Sequence, residues 1–211
     1  MNSFYRNKVT EINGPIKFQV LSWEKFDEEI SQDEIEYKIY MFGVTDTGES
    51  ISVRVDSYTP YFYVKIPNDL QDKWKDFHTK ELKSFISKKL YSLRDSLVKV
   101  SVVEKKELSS FTNEKQFKFL KIITKTEKCF KKCRYILSPS NNRPKPVIPA
   151  ISSLELEFDI YEANIEPFIR FCHIQNVQLA GWCQLSKYKK QDLSRCQIDI
   201  SCKWTEVKPL E

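Results

Sequence analysis

The sequence predicts an α+β fold in which an OB-like β meander or barrel is combined with an RRM-like, ferredoxin-like β-α-β-β-α-β unit. Three observations carry that expectation. Apolar and polar residues alternate in three stretches before residue 57, apolar residues recur at helical spacing in two stretches between residues 79 and 137, and a last group of short β-rich stretches follows a Pro-rich segment.

Ile16 to Trp23, Glu36 to Val44 and Ile51 to Val55 have the period of strands packed on one face. Asp46-Thr47-Gly48 joins the last two as a hairpin. Glu24 to Glu36, strongly acidic, is predicted to be an exposed loop. Tyr61 to Ile66 is a strand of aromatic and β-branched residues ended by Pro67. Leu82, Phe85, Ile86, Leu90, Leu93 and Leu97 recur three and four apart; with Thr79 as cap and Glu81 in the first turn, they predict a helix over Lys80 to Arg94. Val98 to Glu104 and Phe117 to Thr124 are β-rich, and Cys129, Phe130, Cys133, Ile136 and Leu137 mark a second helix.

With Leu154 to Ile160 as a last strand, residues 58–160 complete the split β-α-β-β-α-β order. Ser138 to Pro149 holds four prolines and is predicted to be a poorly ordered loop of polyproline character. Tyr161, Ile165, Phe168, Ile169 and Cys172 fall on one face of a further helix, with Asn164 as cap and Pro167 in its first turn. Cys183 to Tyr188 and Ser194 to Trp204 are strands expected to return to the first sheet. The expected division is therefore residues 1–57 plus 161–211 against residues 58–160, the latter carrying the Pro-rich loop 138–149.

A chain of 211 residues that is 41% hydrophobic can bury a sizeable core. Met1 to Asn13 contains no apolar run, so neither a signal peptide nor a membrane span is expected there, and the address is read as intracellular. The six cysteines are expected to be free thiols, because Cys129-x3-Cys133 has no second pair or His at zinc-ligand spacing. Glycines at 14, 43, 48 and 181 alone exclude a P-loop and a dinucleotide fingerprint. His78 and His173 have no nucleophile motif around them. Asp159 and Glu162 are three apart, whereas two metal ligands on a strand must be two apart to share a face, so they are not read as an exonuclease pair.

Charge is segregated. Residues 21 to 60 hold ten acidic and three basic side chains, and residues 99 to 145 hold thirteen basic and four acidic, which gives −7 and +9. A positive segment attracts polyanions, and because 27 of the 34 basic residues are Lys it suits phosphate tracking better than base reading. Within it, Lys115-Gln-Phe-Lys-Phe-Leu-Lys-Ile122 keeps the leading Lys and both interior aromatics of the RRM octamer but lacks its glycines and final aromatic. Phe62-Tyr63-Val64 is close to the partner strand's pattern. Alternate residues share a face, so Tyr61 with Tyr63, and Phe117 with Phe119, flanked by Lys65, Lys115 and Lys121, are the candidate nucleic-acid-binding residues. The bland reading of the same rings is sheet core.

Phe42-Gly-Val-Thr-Asp-Thr-Gly48 running on to Pro60-Tyr-Phe-Tyr-Val64, then Tyr161-Glu-Ala-Asn-Ile165 with Arg170-Phe171 and Gly181-Trp182, resemble in order and spacing the amino-terminal region of family B DNA polymerases, among them the DNA polymerase delta catalytic subunits and their counterparts in large DNA viruses. The resemblance covers residues 16 to 205. It implies a non-catalytic amino-terminal domain of a replicative DNA-directed DNA polymerase, a nucleotidyltransferase whose further domains carry 3′→5′ exonuclease and polymerase activity with Mg²⁺. For this chain it implies no catalytic residue and no metal or other cofactor of its own. Arg170 and Trp182 are read as packing groups.

The family's Asp-x-Glu exonuclease strand is expected downstream of Glu211. Implied partners are single-stranded template DNA, or RNA, the exonuclease and polymerase domains of the same chain, and replication accessory factors, with no membrane. The implied address is the nucleus or a cytoplasmic viral replication site. A free-standing RRM-like binder of single-stranded RNA or DNA is the alternative; a hydrolase or transferase acting alone lacks any residue constellation.

Overall fold

The computed structural model describes residues 6–107, 115–138, 145–153 and 155–210. Along the chain lie β1 (Ile16–Ser31), β2 (Glu34–Thr45), β3 (Ser50–Asp56), β4 (Tyr61–Lys65), α1 (Asp76–Leu90), β5 (Leu97–Lys106), β6 (Gln116–Thr124), α2 (Glu127–Leu137), β7 (Ile160–Tyr161), α3 (Pro167–Gln175), β8 (Trp182–Leu185), β9 (Lys189–Lys190), β10 (Ile198–Lys203) and β11 (Lys208–Pro209). The chain is thus mixed α+β. It divides into two compact units, one of Met1–Glu28, Glu36–Tyr58 and Glu166–Glu211, the other of Glu29–Ile35 and Thr59–Ile165.

In the first unit the described strands form a curled seven-stranded sheet in the order β11-β8-β1-β2-β3-β10-β9. The alternation read from the sequence sets its inner face: Phe18 and Val20 of β1, Ile39 and Met41 of β2, and Ile51, Val53 and Val55 of β3 are fully buried. β3 pairs antiparallel with β2 and parallel with β10. Gly48 takes φ +95 in the hairpin turn, where Thr45 N–H donates to the Glu49 carbonyl at 2.9 Å. Helix α3 adds Phe168 and Phe171 to this core, and the Tyr58 hydroxyl donates to the Pro167 carbonyl at 2.9 Å.

Several boundaries differ from the sequence expectation. Glu24 to Glu36 is not a loop: β1 runs on to Ser31 and β2 begins at Glu34, because strand pairing is satisfied by the backbone and tolerates acidic side chains that point outward. The helix expected around Tyr161 to Cys172 starts only at Pro167, with Glu166 rather than Asn164 as its cap, and Tyr161 belongs to β7. Its buried face is Phe168, Phe171, Cys172 and Gln175, whereas Ile165 and Ile169 are exposed. A proline that lacks an N–H is best placed at the first helical position, and that resets the helical phase. The strand expected from Ser194 starts at Ile198; the N–H groups of Leu193 and Ser194 donate instead to the Asp199 carboxylate, both at 2.5 Å. The strand expected over Cys183 to Tyr188 is Trp182–Leu185.

In the second unit the described strands form a four-stranded sheet in the order β5-β6-β4-β7, every neighbouring pair antiparallel. Phe62 and Val64 of β4 and Leu120 and Ile122 of β6 share a core with Leu82 and Ile86 of α1 and Phe130 and Cys133 of α2. Helix α1 starts four residues earlier than expected. Lys75 caps it, with its N–H donating to His78 Nδ1 at 2.9 Å, and Thr79 lies inside the helix, accepting from Trp74 Nε1 at 3.0 Å. It ends at Leu90, and Leu93 sits in a 3-10 turn, Tyr91–Ser96, entered through Tyr91 at φ 51. Thr126 caps α2, its Oγ1 accepting from Cys129 N–H at 3.1 Å.

The last strand of this sheet spans two residues rather than Leu154 to Ile160. Asp159 still accepts from the Lys65 N–H at 2.9 Å, but residues 155–159 make no ladder, and Leu154 lies outside the described residues. Of the Pro-rich loop 138–149, residues 139–144 also lie outside them; beyond these, Ile148 is buried and bridges to Ser152.

Candidate nucleic-acid interface

Strand alternation separates the two faces of the second sheet. With Phe62, Val64, Leu120 and Ile122 turned to the helices, Tyr61, Tyr63 and Lys65 of β4 and Phe117, Phe119 and Lys121 of β6 share the opposite face. The register places Tyr63 opposite Lys121 and Lys65 opposite Phe119, and on the other side of β6 sets Lys105 opposite Phe117. Lys115 stands immediately before β6. All seven candidate residues are therefore brought to one surface.

Their exposures differ. Tyr63 and Phe119 are 6% and 3% exposed, so these two rings are packed as core aromatics are, while Tyr61 and Phe117 are half-buried. The Tyr61 and Tyr63 rings meet edge to face at 5.6 Å, and Phe119 meets Tyr161 likewise at 5.4 Å. Lysine ammonium groups cover the ring faces. Lys121 lies 3.9 Å from the Tyr61 centroid, Lys105 4.1 Å from Tyr63, and Lys65 and Lys115 4.4 Å and 5.4 Å from Phe117.

Lys65 differs from the other lysines. Its side chain and that of Glu107 are 9% and 8% exposed and form an ion pair at 2.7 Å, and the Tyr161 hydroxyl donates to the same carboxylate. Lys65 is therefore held inward, as part of the surface's foundation. A cleft of about 590 Å³ beside it is lined by Lys65, Glu107, Lys115, Phe117 and Lys118 among others.

Lys105, Glu107 and Tyr161 escaped the sequence reading. Lys105 reaches Tyr63 because β5 pairs with β6 in a register that apolar alternation on β5 does not specify, its outer half being lysine and glutamate. The pair Lys105-Lys106 at the end of a β-rich run was the available signal. Chemically, the arrangement presents two half-buried rings, Tyr61 and Phe117, with lysine ammonium groups against them, a combination of aromatic face and positive charge suited to a base and its phosphate.

Among the described residues no group of three or more His, Cys, Asp or Glu could hold a metal ion. All six cysteines are free, with the sulfurs of Cys129 and Cys133 3.9 Å apart inside α2. Among the described residues no helix is long and apolar enough to cross a membrane.

No family model matches the chain. It is 31% identical over 203 residues to a DNA polymerase of Acanthamoeba polyphaga mimivirus, covering 92% of this chain and 11% of that protein. It is 28% identical over 176 residues to the DNA polymerase delta catalytic subunit of Arabidopsis thaliana, covering 80% of this chain and 15% of that protein. Among solved structures, the family B DNA polymerase from the hyperthermophilic archaeon Pyrobaculum calidifontis matches with a TM-score of 0.60 at 19% identity, over 92% of this chain and 21% of that one. The chain thus spans 11% and 15% of the length of these two relatives.

Proposed function

We propose, on the premise that this chain is homologous to the amino-terminal region of the family B DNA polymerases, that it is the non-catalytic amino-terminal domain of a replicative DNA-directed DNA polymerase. The observation that carries the reading is a match between 92% of this chain and 11% of the length of a DNA polymerase. Exonuclease and nucleotidyl-transfer chemistry, with the paired Mg²⁺ ions such reactions use, then belongs to further domains of a longer chain. This domain braces the exonuclease domain and guides single-stranded template, and the lysine-covered rings of β4 and β6 are the surface for it. Replication accessory factors are further partners, and the workplace is the nucleus or a cytoplasmic viral replication site. Within the domain we read residues 1–57 with 161–211 as OB-like and residues 58–160 as RRM-like, supported by the curled first sheet and the β5-β6-β4-β7 order of the second.

The test is a fluorescence titration of the 211-residue protein with oligothymidylate. Weak binding at low salt that fades as salt rises is the expected result; no binding at low salt removes the template-guiding role. Primer extension by the same protein with Mg²⁺ would overturn the non-catalytic assignment. The order of the second sheet also favours a second reading, a free-standing RRM-like binder of single-stranded RNA or DNA. Tight binding of RNA at physiological salt, with DNA bound more weakly, selects that reading.

A further inference from the structure

The first unit carries an aromatic file of a different kind. Phe26 of β1 and Tyr40 of β2 stack at 5.5 Å with their planes 11° apart, and Tyr40 and Phe42 continue the file at 6.4 Å and 11°. Phe26 is 45% exposed, and the other two rings are half-buried. No lysine stands over any of these three rings among the described residues. The surrounding field is negative, since residues 21–28 and 36–58 of this unit hold seven acidic and three basic side chains.

The three basic residues of those stretches are committed to carboxylates. Lys25 pairs with Glu166, Lys38 with Glu36 and Asp56 at 2.7 and 2.9 Å, and Arg54 with Asp56 at 3.0 Å. Glu28 completes the surface. Its Oε1 accepts from the Tyr40 hydroxyl at 2.7 Å, while its Oε2 is shielded from solvent and accepts no hydrogen bond among the described residues.

Nucleic acid is disfavoured here, because phosphates would meet net negative charge. A cationic group is favoured by the exposed Phe26 ring and by the net negative charge around it. Guanidinium suits such a surface, since it stacks flat on an aromatic ring while donating in its own plane to carboxylates around it. We propose that the Phe26–Tyr40–Phe42 face is a docking surface for a basic, arginine-bearing segment of a partner protein.

The experiment is calorimetric titration of the 211-residue protein with a short synthetic peptide of alternating arginine and leucine, and with the lysine–leucine counterpart. The arginine peptide binds more tightly than the lysine one. Phe26→Ala and Glu28→Gln each weaken it about fivefold, while Lys132→Ala on α2 of the other unit leaves the peptide affinity unaltered. Glu28→Gln keeps an acceptor for Tyr40, so it tests the charge without removing a structural bond. Equal affinity in both variants, or absence of binding at low salt, overturns the proposal. So does a loss of oligothymidylate binding in Phe26→Ala, which would make this face a nucleic-acid surface. A concentration-dependent dimer in sedimentation that Phe26→Ala abolishes would give the face to a second copy and overturn it equally.

Discussion

The Lys121 ammonium lies 3.9 Å from the centroid of the Tyr61 ring, on the sheet face turned away from the helices. A base that stacks on Tyr61 must displace that cation, and a phosphate one linkage away can receive it. Tyr61→Ala is therefore expected to weaken oligothymidylate binding about fivefold or more, the loss of one stacked base. Lys121→Ala is expected to flatten the dependence of log K on log salt by about one unit, the loss of one phosphate contact, while leaving the ring in place. Anisotropy titrations across a salt series measure both. Unaltered binding in Tyr61→Ala would return this face to a purely structural role.

Beneath that surface, the Lys65–Glu107 pair is nearly removed from water, with side chains 9% and 8% exposed. A buried ion pair contributes little net stability, but removing one partner strands a charge and costs roughly 3–5 kcal/mol. Glu107→Ala also deprives the Tyr161 hydroxyl of its acceptor and is expected to fall in that range by urea denaturation. Replacing both partners, Lys65→Met with Glu107→Leu, is expected to recover most of the loss. A double variant as unstable as Glu107→Ala would mean that the pair acts through packing and not through charge.

How far the sequence foretold this molecule depends on what fixed each element. Where one face is buried, alternation was sufficient: Ile39, Met41, Ile51, Val53 and Val55 all point inward as read. Where backbone pairing overrode polarity, it was not, and the acidic stretch after Glu24 became a long hairpin arm. Caps misled when equivalent residues competed, as with Thr79 against Lys75 and His78. The candidate site shows the same division. Tyr61, Phe117 and Lys121 could be placed on one face from spacing alone, but Lys105 over Tyr63 and Tyr161 against Phe119 come from strands whose register is set by tertiary pairing. Burial of Tyr63 and Phe119 could not be read either, because aromatic residues in strands are written the same way whether they face core or ligand.

Gly43 stands where β2 passes against β1, and a Cβ built there would fall on the Gln19 carbonyl oxygen, with the Gln19 carbonyl carbon 3.0 Å away. The obstacle is backbone, so no rotamer change relieves it. Gly43→Ala is expected to force the two strands apart and to destabilise the first unit by about 4 kcal/mol, at the severe end for single substitutions. Gly48→Ala, in the turn at φ +95, meets nothing within 4 Å and is expected to cost less, through backbone strain alone. Thermal unfolding of the two variants orders them. A milder effect at Gly43 than at Gly48 would show that the strands yield freely.

Alkaline pH should reveal the buried thiols of the first unit. Burial pushes Cys183 up to about 11 and Cys202 up to about 12, the latter helped by Asp56 and Glu206. Burial, with Cys183 beside it, pushes Cys172 up to about 12. An unfolded thiol ionises near 9, so between pH 9 and about 11 the unfolded chain releases protons that the folded one retains. The stabilisation is complete below pH 9 and is lost as pH rises through that window, at up to about 1.4 kcal/mol per pH unit for each thiol. Lys38, raised by its hydrogen bonds to Glu36 and Asp56 in spite of burial, adds a loss in the same direction only above 10.5. Denaturant midpoints at pH 8 and pH 10 are therefore expected to differ. Cys183→Val should shrink that difference. If Cys183→Val preserves the full pH dependence, proton release from the buried thiols is not its source.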